Sequence, residues 1–253
     1  MIISKKIGQH LIVQVPPETS ICVMGDVHEH VEQFNKLVEL WQPSPNKWLV
    51  SLGDIYDKGF GKNFAELITE KLIELQNDGV LFATRGNHEL KLINKSKKNL
   101  DKYLQWWKDQ PLIITFEFPR GKRVMVLHAG VTPIMTEDDL NNDIEVVYVR
   151  DVDEIGMIPL VWKEVDGVKT LVKSRPGGKV WHELYDGRFG YIVSGHAAQK
   201  DGIAKFYNYS CNIDTGVYDT GKLTAQIFLP NGNLGSKLEI TGTASKPKLN
   251  IGY

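Results

Sequence analysis

Cysteine is almost absent: the chain has only Cys22 and Cys211, each inside an apolar, strand-like run. Neither a disulfide framework nor a thiolate zinc site is supported, and two buried free thiols in a reducing compartment are expected. Long hydrophobic runs are missing as well, since no uncharged apolar stretch approaches the ~20 residues a membrane helix needs. Residues 1–15 alternate and carry Lys5, Lys6, Gln9 and His10, so they lack the unbroken apolar core of a signal peptide. Excess charge of either sign is lacking too. A formal net charge of −1 over 253 residues removes bulk electrostatics as an argument for a nucleic-acid or membrane partner. No internal repeat is present. The 42% hydrophobic and 24% charged residues are ordinary for a soluble globular protein, and a cytoplasmic location is expected.

What the chain does have is a recurring local grammar. Its centre is Gly53-Asp54-Ile55-Tyr56-Asp57-Lys58-Gly59, which follows the buried-strand pattern Trp48-Leu49-Val50-Ser51-Leu52. Two carboxylates three residues apart stand in a Gly-bounded loop at the carboxyl end of a strand, where open α/β folds gather their chemistry. Upstream, Ile21-Cys22-Val23-Met24 ends in Gly25-Asp26-Val27-His28. Downstream, Val80-Leu81-Phe82-Ala83-Thr84 ends in Arg85-Gly86-Asn87-His88-Glu89. Three strands each deliver Asp, His or Asn at their carboxyl ends.

Between these strands run helical patterns. Val31, Phe34, Leu37, Val38 and Trp41 recur at helical spacing until Pro43 and Pro45; Phe64, Leu67, Ile68, Leu72 and Leu75 mark a helix over about 62–76. This β-α-β-α-β alternation predicts a parallel sheet covered by helices. The stretch from Leu90 to Asp109 reads as helical, and strands at 112–118 and 123–128 flank the turn Pro119-Arg120-Gly121-Lys122. An acidic short helix is expected over 136–143. From 157 to 173 two strand-like runs flank Asp166-Gly167 and read as an inserted hairpin that could overhang the site. Trp181 to Gly187 reads as loop, strand 190–194 ends in Gly195-His196, and strands follow near 203–214 and 222–229. The tail from about 231 is Gly-, Ser- and Lys-rich and is expected to be weakly structured or a small edge element. The second half thus reads as strand-rich and antiparallel, giving two face-to-face sheets between helical layers in one domain over 1–253.

Four of the seven histidines, His28, His88, His128 and His196, follow strand-like runs in Gly-flanked loops. Together with Asp26, Asp54 and Asn87 they form a set of imidazole and carboxylate donors without thiolate. Such a set suits Mn, Fe, Zn or Ni rather than Ca or a soft metal. A carboxylate shared by two ions brings them to ~3.5–4 Å, the clamp used for in-line phosphoryl displacement.

Gly25-Asp26-Val27-His28, the central loop, Arg85-Gly86-Asn87-His88-Glu89, His128-Ala129-Gly130 and Gly195-His196, in this order, resemble the motifs of the calcineurin-like metallophosphoesterases. The likeness is to the serine/threonine phosphoprotein phosphatase branch, which also holds bacteriophage phosphatases and symmetrical diadenosine tetraphosphatases. Asn212-Ile213-Asp214-Thr215-Gly216 and Lys222-Leu223-Thr224-Ala225 are similar to its bacterial closing strands. The resemblance implies a four-layer α/β/β/α sandwich of two mixed sheets flanked by helices. It implies that Asp26 and His28 hold a first ion, that Asp54 bridges two, and that Asn87, His128 and His196 complete the second. His88 would be the general acid and Asp57 its orienting carboxylate. Lys58 stands where the family usually has a phosphate-gripping arginine, and a lysine supplies charge without the bidentate fork. Arg150 is placed like the second such arginine, and Asn87 would also contact the phosphate.

Two departures carry expectations of their own. His30 replaces the glycine that closes the first motif and is expected to be a surface residue beside a looser turn. Arg85 is expected either to touch phosphate or to tie its loop. The functional expectation is a phosphoester hydrolase with two divalent ions, Mn in first place and Fe, Zn or Ni as alternatives. A metal-bound hydroxide would be the nucleophile and a phosphoprotein or nucleotide the substrate. The alternatives are hydrolysis of a symmetrical dinucleoside tetraphosphate or a phosphodiester, and a non-catalytic interaction module, against which the intact donor set counts.

Overall fold

A computed structural model describes residues 2–96, 100–141, 144–153, 155–157, 160–165, 168–173 and 178–246. The chain begins with β1 (Ser4–Ile7), β2 (His10–Gln14) and β3 (Ser20–Met24), followed by α1 (Val31–Trp41), β4 (Lys47–Ser51), α2 (Lys62–Asn77) and β5 (Leu81–Ala83). Two helices, α3 (Asn87–Ser96) and α4 (Lys102–Asp109), lead to β6 (Ile113–Glu117) and β7 (Arg123–Leu127). Then come β8 (Asp151–Val152), β9 (Leu160–Val165), β10 (Val168–Lys173), β11 (Lys179–Val180), α5 (Trp181–Leu184) and β12 (Tyr191–Ser194). The last elements are β13 (Lys205–Phe206), β14 (Ser210–Asn212), α6 (Val217–Thr220), β15 (Lys222–Phe228) and β16 (Leu234–Thr241).

Two mixed sheets form. One has five strands in the order β16-β15-β3-β4-β5, and the other seven in the order β1-β2-β6-β7-β12-β14-β13. Strict alternation along each strand explains why they stack. In β3, Ile21 and Val23 face the second sheet and join Trp48, Val50, Phe116, Val126, Val193 and Phe228 in the layer between the sheets. Cys22 and Met24 face the other way and pack with Phe34, Leu37, Leu72 and Trp107 of the helices. In β7, Val124 and Val126 point inward, while Met125 and Leu127 pack beneath Val146, Val147, Trp181 and Phe189. Helices α1 and α2 therefore cover the five-stranded sheet; 3₁₀ turns and the short α5 cover the seven-stranded one. Helix α1 stops because Gln42 turns left-handed (φ 52°) and returns its N–H to Val38 before Pro43.

Three expectations are corrected. The second half is not simply antiparallel: β12 runs parallel to both β7 and β14, and β2 parallel to β6. The acidic stretch forms 3₁₀ turns at Asp139–Asn141 and Ile144–Val147 rather than one helix, with residues 142–143 outside the described residues. The chain after 230 is not weakly structured and takes the other alternative, an edge element: the eight-residue strand β16, paired antiparallel with β15. Its Gly-, Ser- and Lys-rich sequence suits an exposed edge, where charge discourages further pairing. The β9–β10 hairpin pairs as expected, and its turn at 166–167 lies outside the described residues. Cys22 and Cys211 are both buried and unpaired by disulfide.

Candidate active site

Every candidate ligand leaves a strand at its carboxyl end. Asp26 and His28 follow β3, Asp54 follows β4, Asn87 and His88 open α3 after β5, His128 follows β7, and His196 follows β12. The first three loops belong to one sheet and the last two to the other, so the cluster sits where the two sheets meet. Glycine is required where backbone presses on a carboxylate. A Cβ on Gly195 would stand 2.0 Å from Asp26 Oδ1, and one on Gly86 would stand 2.1 Å from Asp54 Oδ1.

Asp54 is the hub. Its Oδ2 lies 3.8 Å from His28 Nε2, 3.8 Å from His88 Nε2 and 3.4 Å from His128 Nε2. Donor atoms of His28, Asp54 and His88 lie within 4.8 Å of one another, as do those of Asp54, His128 and His196. Asp26 Oδ2 is 3.9 Å from His28 Nε2, and Asn87 Oδ1 is 3.0 Å from His128 Nε2. The imidazoles are aimed from behind: Nδ1 of His28 donates to Tyr56 O (3.1 Å) and Nδ1 of His128 to Leu52 O (3.0 Å). That leaves each Nε2 turned into the cluster, the second-sphere arrangement of metal-binding histidines.

Electrostatics show what this set requires. Burial, reinforced by Asp214 and Asp54, pushes the Asp26 carboxyl well above the usual carboxylate range. Asp54 is buried too, yet the facing histidines hold it well below that range. Burial alone would lower His128, but the charge of Asp54 raises it to about 9. His28, with burial dominant, falls to about 3. Carboxylates gathered in a dry site this way favour any added positive charge, and the oxygen and imidazole donors fit divalent first-row ions.

The strain in these loops is held by two glutamates. Asp54, Asp57 and Lys58 have φ of 51°, 65° and 68°, and His28 and Glu29 have 44° and 66°; His196, at 65°, is held instead by Asp26, which accepts from its N–H. Left-handed non-glycine residues persist only where surroundings over-determine them. Fully buried Glu89 accepts from the N–H groups of Asp54 (2.8 Å), Ile55 (2.8 Å), Tyr56 (3.3 Å) and Gly86 (2.9 Å). Glu29 accepts from Asp57 (3.1 Å), Gly59 (3.1 Å) and Gly61 (2.8 Å). Sequence reasoning assigned neither glutamate a role, because the central loop they hold lies 28–35 residues away in the chain. Glu89→Ala strands several buried donors, so a loss of about 3 kcal/mol or more is expected in urea unfolding. A loss below about 1 kcal/mol would show that the loop holds without it.

A family model described as calcineurin-like phosphoesterase matches residues 19–200. The chain belongs to the calcineurin-like phosphoesterase family. Curated relatives from Bacillus cereus and Bacillus anthracis, both named bis(5′-nucleosyl)-tetraphosphatase PrpE [asymmetrical], are 25% identical over 80% of this chain and 88% of their own. A solved structure provisionally named a diadenosine tetraphosphatase matches with a TM-score of 0.64 at 24% identity, covering 92% of this chain and 99% of that one. A Saccharomyces cerevisiae serine/threonine phosphatase with similarity to human PP5 matches with a TM-score of 0.59 at 16% identity, over 94% and 85%. Those two likenesses show the fold.

The remaining candidates of this calcineurin-like site fall around the hub. His88 Nδ1 lies 2.9 Å from Asp57 Oδ2, and Lys91 Nζ is 3.6 Å from the same oxygen. Partial burial raises Asp57, but the His88 hydrogen bond and the charges of His88 and Lys91 outweigh it and leave the carboxyl below its ordinary range. Lys58 Nζ is 3.3 Å from His28 Nε2 and 4.6 Å above the ring centre of Tyr218, so it lies at the cluster. Arg150 Nη2 donates to His196 O at 3.0 Å. Arg85 is buried and turned to Gln9, to which it donates, so it ties its loop to the region before β2. His30 corrects its expectation: it is fully buried, its Nδ1 lies 2.6 Å from His28 O, and its ring packs on Phe60. The turn there is closed by His30 N–H donating to Val27 O at 3.1 Å, and Gly59 packs so closely that a Cβ on it would stand 1.9 Å from His28 O. Tyr218, edge-on to His28 at 5.2 Å between ring centres, and Asp214 also border the site, and neither had a role in the sequence reading.

Proposed function

We propose that this chain is a dinuclear metal-dependent phosphoester hydrolase, and the observation that carries the reading is the Asp54 carboxylate, common to the donor groups His28–Asp54–His88 and Asp54–His128–His196, with His88 also paired to Asp57. Asp26, His28 and Asp54 would hold one ion, and Asp54, Asn87, His128 and His196 the other. When bound, the ions supply charge to the phosphoryl oxygens and lower the pKa of water, with Mn the first candidate metal. The protein's own residues do the rest. Asp57 accepts the Nδ1–H of His88, fixing the tautomer and leaving Nε2 to carry a proton to the leaving oxygen. Lys58 and Arg150 receive the phosphoryl oxygens, the lysine as a point charge. All donors come from both sheets, so the chain acts as one domain, and its two buried thiols suit a reducing compartment such as the cytoplasm.

Phosphomonoesters, including phosphoproteins, are the first substrate class. A second reading, cleavage of a dinucleoside polyphosphate, is favoured by the names of the Bacillus relatives, which align over most of their length. Chelator-treated protein, titrated with Mn, is expected to regain nitrophenyl phosphate turnover in proportion to metal up to about two equivalents per chain. Full activity at one equivalent would overturn the dinuclear assignment.

A further inference from the structure

A cavity of about 300 Å³ opens beside Arg150 on the His196 side of the cluster. Its lining combines Arg150, the segment from Ala197 to Lys200 that follows His196, and a set of aromatic rings. These rings form a stack. Trp181 lies 3.8 Å from His182 between ring centres, and Tyr207 lies 4.6 Å beyond His182 at an interplanar angle of 5°. All three rings line the cavity; Trp181 and His182 are buried, whereas Tyr207, the outer ring of the stack, is half-buried. His182 is fixed by Ser210 Oγ at 2.9 Å and Ser194 Oγ at 3.4 Å. Burial pushes His182 down to about 3, so the middle ring is neutral. Arg150, exposed Lys200 and the carboxylate of Asp151 all line the cavity.

We infer that this cavity is a second subsite of the proposed hydrolase, in which a planar nucleobase stacks on Tyr207 while Lys200 and Arg150 carry the phosphates that link it to the metal cluster. The inference rests on the phosphoester-hydrolase reading and selects a nucleoside polyphosphate as the substrate class. Three observations favour that class over a phosphopeptide. The volume is at the small end of ligand pockets, sufficient for one nucleoside-sized group. A flat, immobilised ring is what a base needs, and stacking on such a ring accepts any base. The Ala197 carbonyl, a backbone acceptor suited to a peptide strand, is already taken by Gln199 Nε2 (2.7 Å) and Asn212 Nδ2 (2.9 Å). Sequence reasoning passed over the region, because Trp181 to Gly187 reads as loop and Tyr207 is brought to His182 only by the pairing of β13 with β14.

The test compares kcat/KM of the Mn-supplemented full chain on diadenosine tetraphosphate, nitrophenyl phosphate and a phosphoserine peptide. Tyr207→Leu is expected to lower the dinucleotide-to-nitrophenyl ratio about tenfold, chiefly through KM, with Tyr207→Phe restoring it. Lys200→Ala, a change at an exposed residue that does not threaten folding, is expected to lower the same ratio severalfold and to weaken its salt dependence. Ratios within twofold of wild type in both Tyr207→Leu and Lys200→Ala would overturn the subsite while leaving the hydrolase reading intact. An equal loss on the phosphopeptide would also overturn it. If the wild type cleaves none of the three substrates, the hydrolase reading fails and calorimetric binding of AMP decides the subsite. Affinity about tenfold weaker in Tyr207→Leu supports it, and equal affinity or no binding by wild type removes it.

Discussion

Asp54→Asn is expected to cost about three orders of magnitude or more in kcat/KM and to lower the metal content below two ions per chain. The change is almost purely one of charge. Asparagine tolerates the left-handed φ of 51° at this position, and the Glu89 carboxylate grips the main-chain N–H, which is unaltered. The amide oxygen can still accept from His88 N, as Asp54 Oδ1 does at 3.0 Å. What disappears is the negative charge facing His28, His88 and His128, and with it the carboxylate that both donor groups share. Losing several kcal/mol of metal and transition-state stabilisation at once corresponds to that rate factor. Elemental analysis and phosphate release on the same preparation check it; wild-type values for both would sink the assignment of the hub.

His88→Asn is expected to lower kcat by ~10²–10⁴-fold on alkyl phosphates, the range that a positioned proton donor contributes. The loss should be smaller on nitrophenyl phosphate, whose leaving group departs readily as an anion. The geometry sets up a direct contest between two roles. His88 Nε2 is as close to Asp54 Oδ2 as His28 Nε2 is, both at 3.8 Å, so distance alone would allow it to be a ligand. Its Nδ1, however, faces a carboxylate at 2.9 Å, whereas His28 and His128 place Nδ1 against backbone carbonyls. A carboxylate steadies an imidazolium and so suits a proton donor. Retained metal with a leaving-group-dependent loss of kcat supports the acid. Loss of one ion, with equal damage on both substrates, would make His88 a ligand instead.

The residues of the hub are legible in the amino-acid sequence because their signal is local. A strand that ends in glycine followed by Asp, His or Asn declares both its geometry and its chemistry within a few positions. The β3-α1-β4-α2-β5 unit is readable for the same reason, since hydrophobic periods of 2 and 3.6 are properties of adjacent residues. Facing partners are not. The parallel pairing of β12 with β7 and β14 depends on crossovers whose lengths say little about the strand chosen. His30 reads as a surface residue, since nothing near it in sequence shows that Phe60 and the β4 loop close over it. Glu89 and Glu29 lie in or beside the glycine-bounded motifs, yet their carboxylates act on N–H groups of another loop.

The sequence by itself determined which donor side chains the chain places at its strand ends, because residue type, strand-end placement and glycine spacing are written residue by residue. Only the tertiary structure decided how that chemistry is held and what it can meet. Asp54 becomes a hub through the docking of one sheet on the other; Lys58 meets Tyr218 across 160 residues of chain, and Tyr207 caps the Trp181–His182 stack through strand register. Those contacts are set by packing between distant segments, which leaves no periodic trace in either segment alone.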